Sequence, residues 1–76
     1  MAYLAVNKDG QETISQDLPE RCNENTHYAN LGNAVQWCDF GDFETYENST
    51  IYLPKGSIKK LIGRDLAWQD EPVEFI

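Results

Sequence analysis

Long apolar runs are missing from this chain of 76 residues. No window approaches the ~18 consecutive apolar residues that a membrane-spanning helix needs, so the sequence predicts no bilayer-spanning segment. The stretch from Met1 to Asp9 contains neither a basic leader nor a long apolar core, and we expect no secretory signal there.

Basic residues are also scarce: six lysines and arginines stand against thirteen aspartates and glutamates, and the net charge is −7. Sequence-independent binding to DNA or RNA depends on Lys and Arg neutralising phosphates, so the acidic surplus argues against nucleic acid as the main partner. It equally disfavours docking on anionic lipid. We therefore expect the partner to be another protein.

The chain is too short for more than one small domain, which we predict to cover residues 1–76. A domain of this size leaves little volume for a pocket once its own core is filled, so we expect no enzyme. Aromatic residues make up 12% of the chain. Because each ring buries a large area, this share indicates a folded protein and not a disordered acidic tail.

Cysteine and histidine are few. Cys22, His27 and Cys38 lie too far apart for a structural zinc site, which usually has four ligands, often in close pairs. The sequence therefore predicts no metal and no cofactor. Because no leader is recognised, two reduced thiols are favoured over the alternative, a Cys22–Cys38 disulfide that would close a loop of about 17 residues.

The charges are segregated along the chain. Residues 1–50 carry a net charge of −7, residues 51–64 carry +4, and residues 65–76 carry −4. We favour a basic helix that lies against the acidic remainder and neutralises it. The alternative is an exposed basic patch that makes a weak nucleic-acid contact; its residues would be Lys55, Lys59, Lys60 and Arg64.

The N-terminal part contains the clearest turn signal. An apolar run from Ala2 to Val6, the turn residues Asn7–Gly10 and an alternating pattern up to Ser15 predict a β-hairpin. Pro19 then interrupts the chain. Residues 34–40 suit a strand, and we expect an irregular acidic loop after it.

The C-terminal part predicts a strand at 50–53, a short helix at 57–62 and a last strand at 73–76. Ser57 is the expected N-cap and Gly63 the expected left-handed residue that ends the helix. The predicted fold is α+β, with a small, mostly antiparallel sheet of about four to five strands and one short helix. The expected core comprises Leu4, Val6, Ile14, Trp37, Ile51, Leu53, Ile58, Leu61, Ile62, Trp68, Val73 and Phe75.

Acidic and aromatic residues alternate between positions 37 and 47. The candidate binding residues in this stretch are Trp37, Asp39, Phe40, Asp42, Phe43, Glu44 and Tyr46. One interpretation is a protein-binding segment in which rings anchor a partner and carboxylates attract its basic groups. A narrower one is an acidic nucleic-acid mimic that inhibits a DNA-handling enzyme. The favoured alternative is an ordinary loop with rings inward and acids outward.

Both ends of the chain contain distinctive strings. The C-terminal block reads IYLPKGSIKKLIGRDLAWQDEPVEF over residues 51–75, and the opening reads YLAVNKDG over residues 3–10. Together they resemble short uncharacterised proteins that prophages and mobile elements of gut bacteria encode, of the Bacteroides and Firmicutes type. The resemblance implies a bacterial or phage cytoplasmic setting but no activity, and it does not extend to residues 22–49.

The sequence thus predicts a small, non-catalytic accessory protein that acts by binding another protein. We expect it to be cytoplasmic, and either a monomer or a homodimer. An exposed sheet edge would provide a surface for self-association.

Overall fold

The N-terminal hairpin forms the middle of the main sheet in the computed structural model, which describes residues 2–23, 30–39 and 50–75. The elements are β1 (Tyr3–Val6), β2 (Glu12–Ser15), β3 (Glu20–Cys22), β4 (Gln36–Cys38), β5 (Ile51–Leu53), α1 (Ser57–Ile62) and β6 (Val73–Glu74). One antiparallel sheet has the strand order β5-β2-β1-β6, and β3 pairs with β4 in a second sheet. The predicted α+β class, with few strands and one short helix, is confirmed.

The predicted hairpin is formed by local turn chemistry. Gly10 adopts a φ of 93°, a left-handed conformation that glycine reaches without steric cost. Its N–H donates to the carbonyl of Asn7 at 2.9 Å, and the Asn7 N–H donates to the carbonyl of Gln11 at 2.8 Å. These bonds set the register in which Leu4 lies opposite Ile14.

One face of the main sheet packs against α1. Leu4 and Val6 share this face because alternate residues of a strand point the same way, and Ile58 of α1 is buried against them. Removing each such side chain from water stabilises the fold by about 1.5–3 kcal/mol. The partly buried residues of this cluster are Ile14, Leu53, Ile62, Leu66 and Phe75.

The opposite face is covered by the hairpin-like pair of β3 and β4, here called the β3–β4 ribbon. Ala5 of β1 packs with Ala34, Trp37 and Trp68 in a second buried cluster. Trp37 of β4 donates its backbone N–H to Asn7 Oδ1 and its indole Nε1–H to the carbonyl of Val6, both at 2.9 Å. The residues that the structure describes therefore form three layers: helix, main sheet and ribbon.

Arg21 of β3 ties the ribbon to the segment after α1. Its guanidinium carbon lies 4.5 Å from the ring centroid of Trp37 and 5.2 Å from that of Trp68. It donates hydrogen bonds to the carbonyls of Trp68 and Asp70 and forms an ion pair with Glu71 at 3.5 Å. Both rings attract the cation, so Arg21 connects β3 to β4 and to residues 68–71.

The two cysteines form a disulfide, so the prediction of reduced thiols is wrong. Cys22 and Cys38 have their Cα atoms 6.2 Å apart, within the range of such bonds. The ladder pairs Cys22 with Gln36 and Cys38 with Glu20, so the bond crosses the ribbon diagonally. Pairing of β3 with β4 brings the two thiols together, and this long-range pairing is not visible in the sequence around either cysteine.

The core is smaller than the sequence predicts. Ile51 and Leu61 are wrong as core residues, since they are 63% and 43% exposed. Ile51 lies on an edge strand, and α1 is too short to bury a wide face. Val73 is half-buried. The predicted core residues that are buried are Leu4, Val6, Trp37, Ile58 and Trp68.

The ends of α1 are only partly as predicted. Gly56, and not Ser57, precedes the first helical residue, and no side chain within the helix caps it. The carboxylate of Glu12 instead accepts the N–H groups of Gly56 and Ile58, both at 2.7 Å. At the other end Gly63 adopts the expected left-handed conformation, with a φ of 80°.

Three predicted strands are shorter than expected, and one strand is new; among the shortened ones, the strand expected over 50–53 begins at Ile51. The strand expected over 34–40 is confined to Gln36–Cys38, and the one expected over 73–76 to Val73–Glu74. β3 was not predicted. The irregular acidic loop expected after residue 40 lies outside the described residues.

Candidate functional site

The β5 strand lies at one edge of the main sheet and exposes two large apolar side chains. Ile51 is 63% exposed and Tyr52 is 61% exposed. Because neighbouring strand residues point to opposite faces, Ile51 lies on the side that packs on α1 and Tyr52 on the ribbon side. This pair, here called the β5 edge, presents apolar surface on both sides of one strand.

A hollow of about 360 Å³ adjoins the ribbon side of the β5 edge. Tyr52 and Val35 supply its apolar lining, and Val35 is 42% exposed. Lys8, Asp9 and Gln11 from the hairpin turn complete the wall. An apolar side chain of a partner could therefore pack between Tyr52 and Val35 while polar groups surround it.

A larger open cleft of about 670 Å³ lies between the hairpin turn and the start of α1. Lys8 and Lys55 are exposed on its wall, and Asp65 is exposed beside them. Glu12 also lines the cleft, but its two oxygens are engaged by the backbone of α1. The volume suits a small molecule, yet its charged groups are either solvated or occupied in holding the helix.

All four predicted basic contact residues are exposed. Lys55 precedes α1, Lys59 and Lys60 lie on it, and Arg64 follows it. Within the described part of the chain none of them forms an ion pair, and four acids of the remainder, Glu24, Asp42, Glu44 and Glu47, lie outside the described residues. Successive helical residues point about 100° apart, so Lys59 and Lys60 diverge from each other.

Two of the acid–aromatic candidates lie inside the fold. Trp37 is 4% exposed and packs edge-to-face with Trp68 at a ring-centroid distance of 5.9 Å. Asp39 is fully buried, and its carboxylate accepts the N–H of Asp17 at 2.9 Å. Neither side chain occupies the exposed position that the binding hypothesis needs.

The remaining acid–aromatic candidates lie outside the described residues. They are Phe40, Asp42, Phe43, Glu44 and Tyr46. The hypothesis that these residues bind a protein partner therefore stays a prediction, and so does the hypothesis that they mimic a nucleic acid.

The residues that the sequence reasoning missed are those of the β5 edge. A strand was predicted over 50–53 and is found at Ile51–Leu53, but Ile51 was assigned to the core. A β-branched and aromatic tripeptide has the same composition in a central strand and in an edge strand. Pro54 does not separate the two cases, because it lies beyond the last residue of the strand, where proline is allowed in any strand.

No group of three or more His, Cys, Asp or Glu side chains within the described ranges is arranged to hold a metal ion. Both cysteine sulfurs are used by the disulfide. No helix among these residues is long and apolar enough to span a bilayer.

Comparisons with family models, with curated proteins and with solved structures found no match to this chain. The sequence and the geometry alone therefore carry the functional inference.

Proposed function

We propose that this is a small, non-catalytic accessory protein that binds another protein through the β5 edge. The observation that carries the proposal is the exposure of Ile51 and Tyr52, each above 60%, on an edge strand. Edge strands with exposed apolar side chains are the usual templates for adding a partner's strand or loop. The Tyr52–Val35 hollow beside the edge offers a place for one anchoring side chain.

The charge of the chain favours a basic partner. The net charge is −7, and nine of the thirteen acidic residues precede position 51. Long-range attraction would speed the encounter with a positively charged protein, and the rate would fall as salt is added. The same charge opposes self-association, so we propose a monomer over the homodimer.

The proposed setting is the bacterial or phage cytoplasm. The resemblance of the two chain ends to proteins of prophages and mobile elements supports this placement. The Cys22–Cys38 disulfide bears on it, because cytosolic reductants keep most thiols reduced. Disulfides that do occur in the cytosol are usually transient and redox-sensing. We therefore propose that this bond is not permanent.

The binding proposal is tested by changing the β5 edge without changing the strand. The double variant Ile51→Thr/Tyr52→Thr keeps β propensity and removes most of the exposed apolar surface. Proteins captured from a bacterial lysate by the wild type should be bound about tenfold more weakly or worse by this variant. Quantitative mass spectrometry of the captured proteins, followed by titration of the enriched one, measures the difference.

Leu61→Gln is the matched control, because Leu61 is also exposed but lies on α1. It should capture the same proteins as the wild type. Equal capture by the edge variant and the wild type would contradict the proposal. So would a partner set that a charge-matched acidic protein captures equally well.

A weak nucleic-acid contact is the second candidate, because the four basic residues of positions 55–64 are all exposed. Replacing Lys59 and Lys60 with Gln should weaken any such binding and reduce its salt dependence. A gel-shift titration at low salt that shows no complex with DNA or RNA would end this candidate.

A further inference from the structure

We propose that the Cys22–Cys38 disulfide is a redox switch: by holding β3 to β4 it keeps the ribbon folded, and the folded ribbon covers the main sheet. Cleavage of the bond by a dithiol would release the ribbon and expose the face of the sheet around Ala5. The α1 side of the molecule would stay folded.

The two buried clusters of the molecule are separate, which makes a local opening feasible. Leu4, Val6 and Ile58 form the cluster between the main sheet and α1, and no ribbon residue belongs to it. Ala5, Ala34, Trp37 and Trp68 form the cluster under the ribbon. Opening the ribbon would therefore remove Trp37 from the cluster under the ribbon and leave the cluster between the main sheet and α1 intact.

The ribbon has little intrinsic stability of its own. Each of its strands has three residues, and an isolated two-stranded hairpin of that length is marginal in water. The disulfide spans 16 positions of sequence, a loop size for which cross-linking shifts a folding equilibrium by about a hundredfold in the chain-entropy model. The free energy that the bond contributes is thus large enough to shift the ribbon from a mostly open state to a mostly closed one.

The closed state also contains an unfavourable feature that opening would relieve. Arg21 Nε is buried and has no hydrogen-bond partner among the described residues. A buried donor without an acceptor disfavours the state that contains it, and release of the ribbon would return this group to water. The other Arg21 contacts, to Trp68, Asp70 and Glu71, oppose release, as do the two hydrogen bonds from Trp37 to the main sheet.

The chemical step is thiol–disulfide exchange. A thiolate of the dithiol attacks one sulfur, forming a mixed disulfide and freeing the other cysteine as a thiolate that takes up a proton. The second thiol of the reagent then displaces the first cysteine. Two electrons and two protons pass to Cys22 and Cys38, and the dithiol leaves as its own disulfide. Re-formation of the bond uses a disulfide oxidant such as glutathione disulfide.

A reductant cannot contact the disulfide in the closed structure, because both cysteines are buried. Cys22 is 0% exposed and Cys38 is 1% exposed, so a reductant reaches the sulfurs only after a transient opening. The reduction rate should therefore level off as the dithiol concentration rises, because opening becomes rate-limiting.

Fluorescence and amide exchange test the proposal together. The two tryptophans of the chain, Trp37 and Trp68, both lie in the cluster under the ribbon. Dithiothreitol should shift their emission to the red and speed amide exchange in residues 20–23 and 34–38 by about a hundredfold. Exchange in β1 and β2 should stay slow, and glutathione disulfide should reverse every change.

The double variant Cys22→Ala/Cys38→Ala is the control for the reagent. Without any reductant it should show the emission and exchange pattern of the reduced wild type, and dithiothreitol should not change it. Unchanged ribbon protection after complete reduction would overturn the proposal. Loss of protection in β1 and β2 as well, in the reduced wild type or in the variant, would also overturn it, since the bond would then brace the whole fold.

Discussion

Glu12 shows how one side chain can connect distant parts of a small fold. It belongs to β2 and pairs with Leu53 of β5, while its two oxygens accept the backbone N–H groups of Gly56 and Ile58. These donors would otherwise be unsatisfied at the start of α1. A negative charge at this position also interacts favourably with the helix dipole. The carboxylate thus replaces a local N-cap from more than 40 residues away.

Replacing Glu12 with Gln should destabilise the protein by about 1–2 kcal/mol, because the amide keeps one acceptor and loses the charge. Urea unfolding measures the change as a lower midpoint with an unchanged m value. Glu74→Gln, at an exposed position of β6, is the control and should shift the midpoint little. Equal midpoints for Glu12→Gln and the wild type would show that the two hydrogen bonds contribute no net stability.

Residue roles were predictable where the signal is local and not where it is distant. Gly63 and the hairpin turn follow from their own sequence neighbours. The burial of Asp39 does not, because its acceptor role depends on the N–H of Asp17, 22 positions earlier. An aspartate beside aromatic residues has the same sequence context in an exposed acidic segment as in this buried site. Trp37 and Asp39, predicted as binding residues, are therefore buried, whereas the prediction for Phe40, Asp42, Phe43, Glu44 and Tyr46 stays a prediction.

At the scale of elements, α1 depends on its two ends because its six residues are too few for a stable isolated helix. Glu12 fixes the first turn, and the Gly63 N–H donates to the carbonyl of Lys59 at 2.9 Å at the last. Burial of Ile58 supplies the tertiary contact. The helix is thus a consequence of the fold more than of its own propensity.

Gly63→Ala should destabilise the protein by about 1 kcal/mol, because an L side chain is strained at a φ of 80°. Thermal unfolding followed by far-UV circular dichroism provides the measurement. Gly32→Ala is the matched control: Gly32 has no positive φ, and an added Cβ would meet Asn30 Oδ1 at an ordinary 3.4 Å. A Gly63→Ala protein as stable as the control would show that the left-handed end is not needed.

Strand pairing was predictable where a short turn joins the two strands, and not where the partners are far apart in sequence. β1 and β2 are joined by a five-residue turn whose residues specify it, and both were predicted. The 13 residues between Cys22 and Gln36 connect β3 to β4. A connection of this length is not a tight turn, so its sequence does not predict that the two strands pair. The edge position of β5 depends on the strand order, which a single strand's composition does not encode. The fold class was thus predictable, whereas the exposed edge and the ribbon were not.

At the scale of the whole molecule, the dominant property is uncompensated negative charge. The chain carries −7 within principal extents of 34 × 27 × 17 Å. Among the described residues, Arg21–Glu71 is the one ion pair. The exposed basic residues of positions 55–64 reduce the total charge but form no ion pair with an acid of the described residues. Like charges crowded into this volume repel each other more than in the expanded unfolded chain.

Salt should therefore stabilise the protein. The Debye length is about 30 Å at 0.01 M and about 8 Å at 0.15 M ionic strength, so low salt leaves repulsion acting across the whole molecule and physiological salt removes most of it. Raising NaCl over this range should increase the free energy of unfolding by about 1 kcal/mol, measured by urea unfolding at each salt concentration. Glu74→Lys replaces one negative charge with a positive one at an exposed site, and its gain should be about half as large, because repulsion scales roughly with the square of the net charge. A stability that falls with added salt would instead mean that attractive charge pairs dominate, and it would remove the electrostatic reason for preferring a basic partner and a monomer.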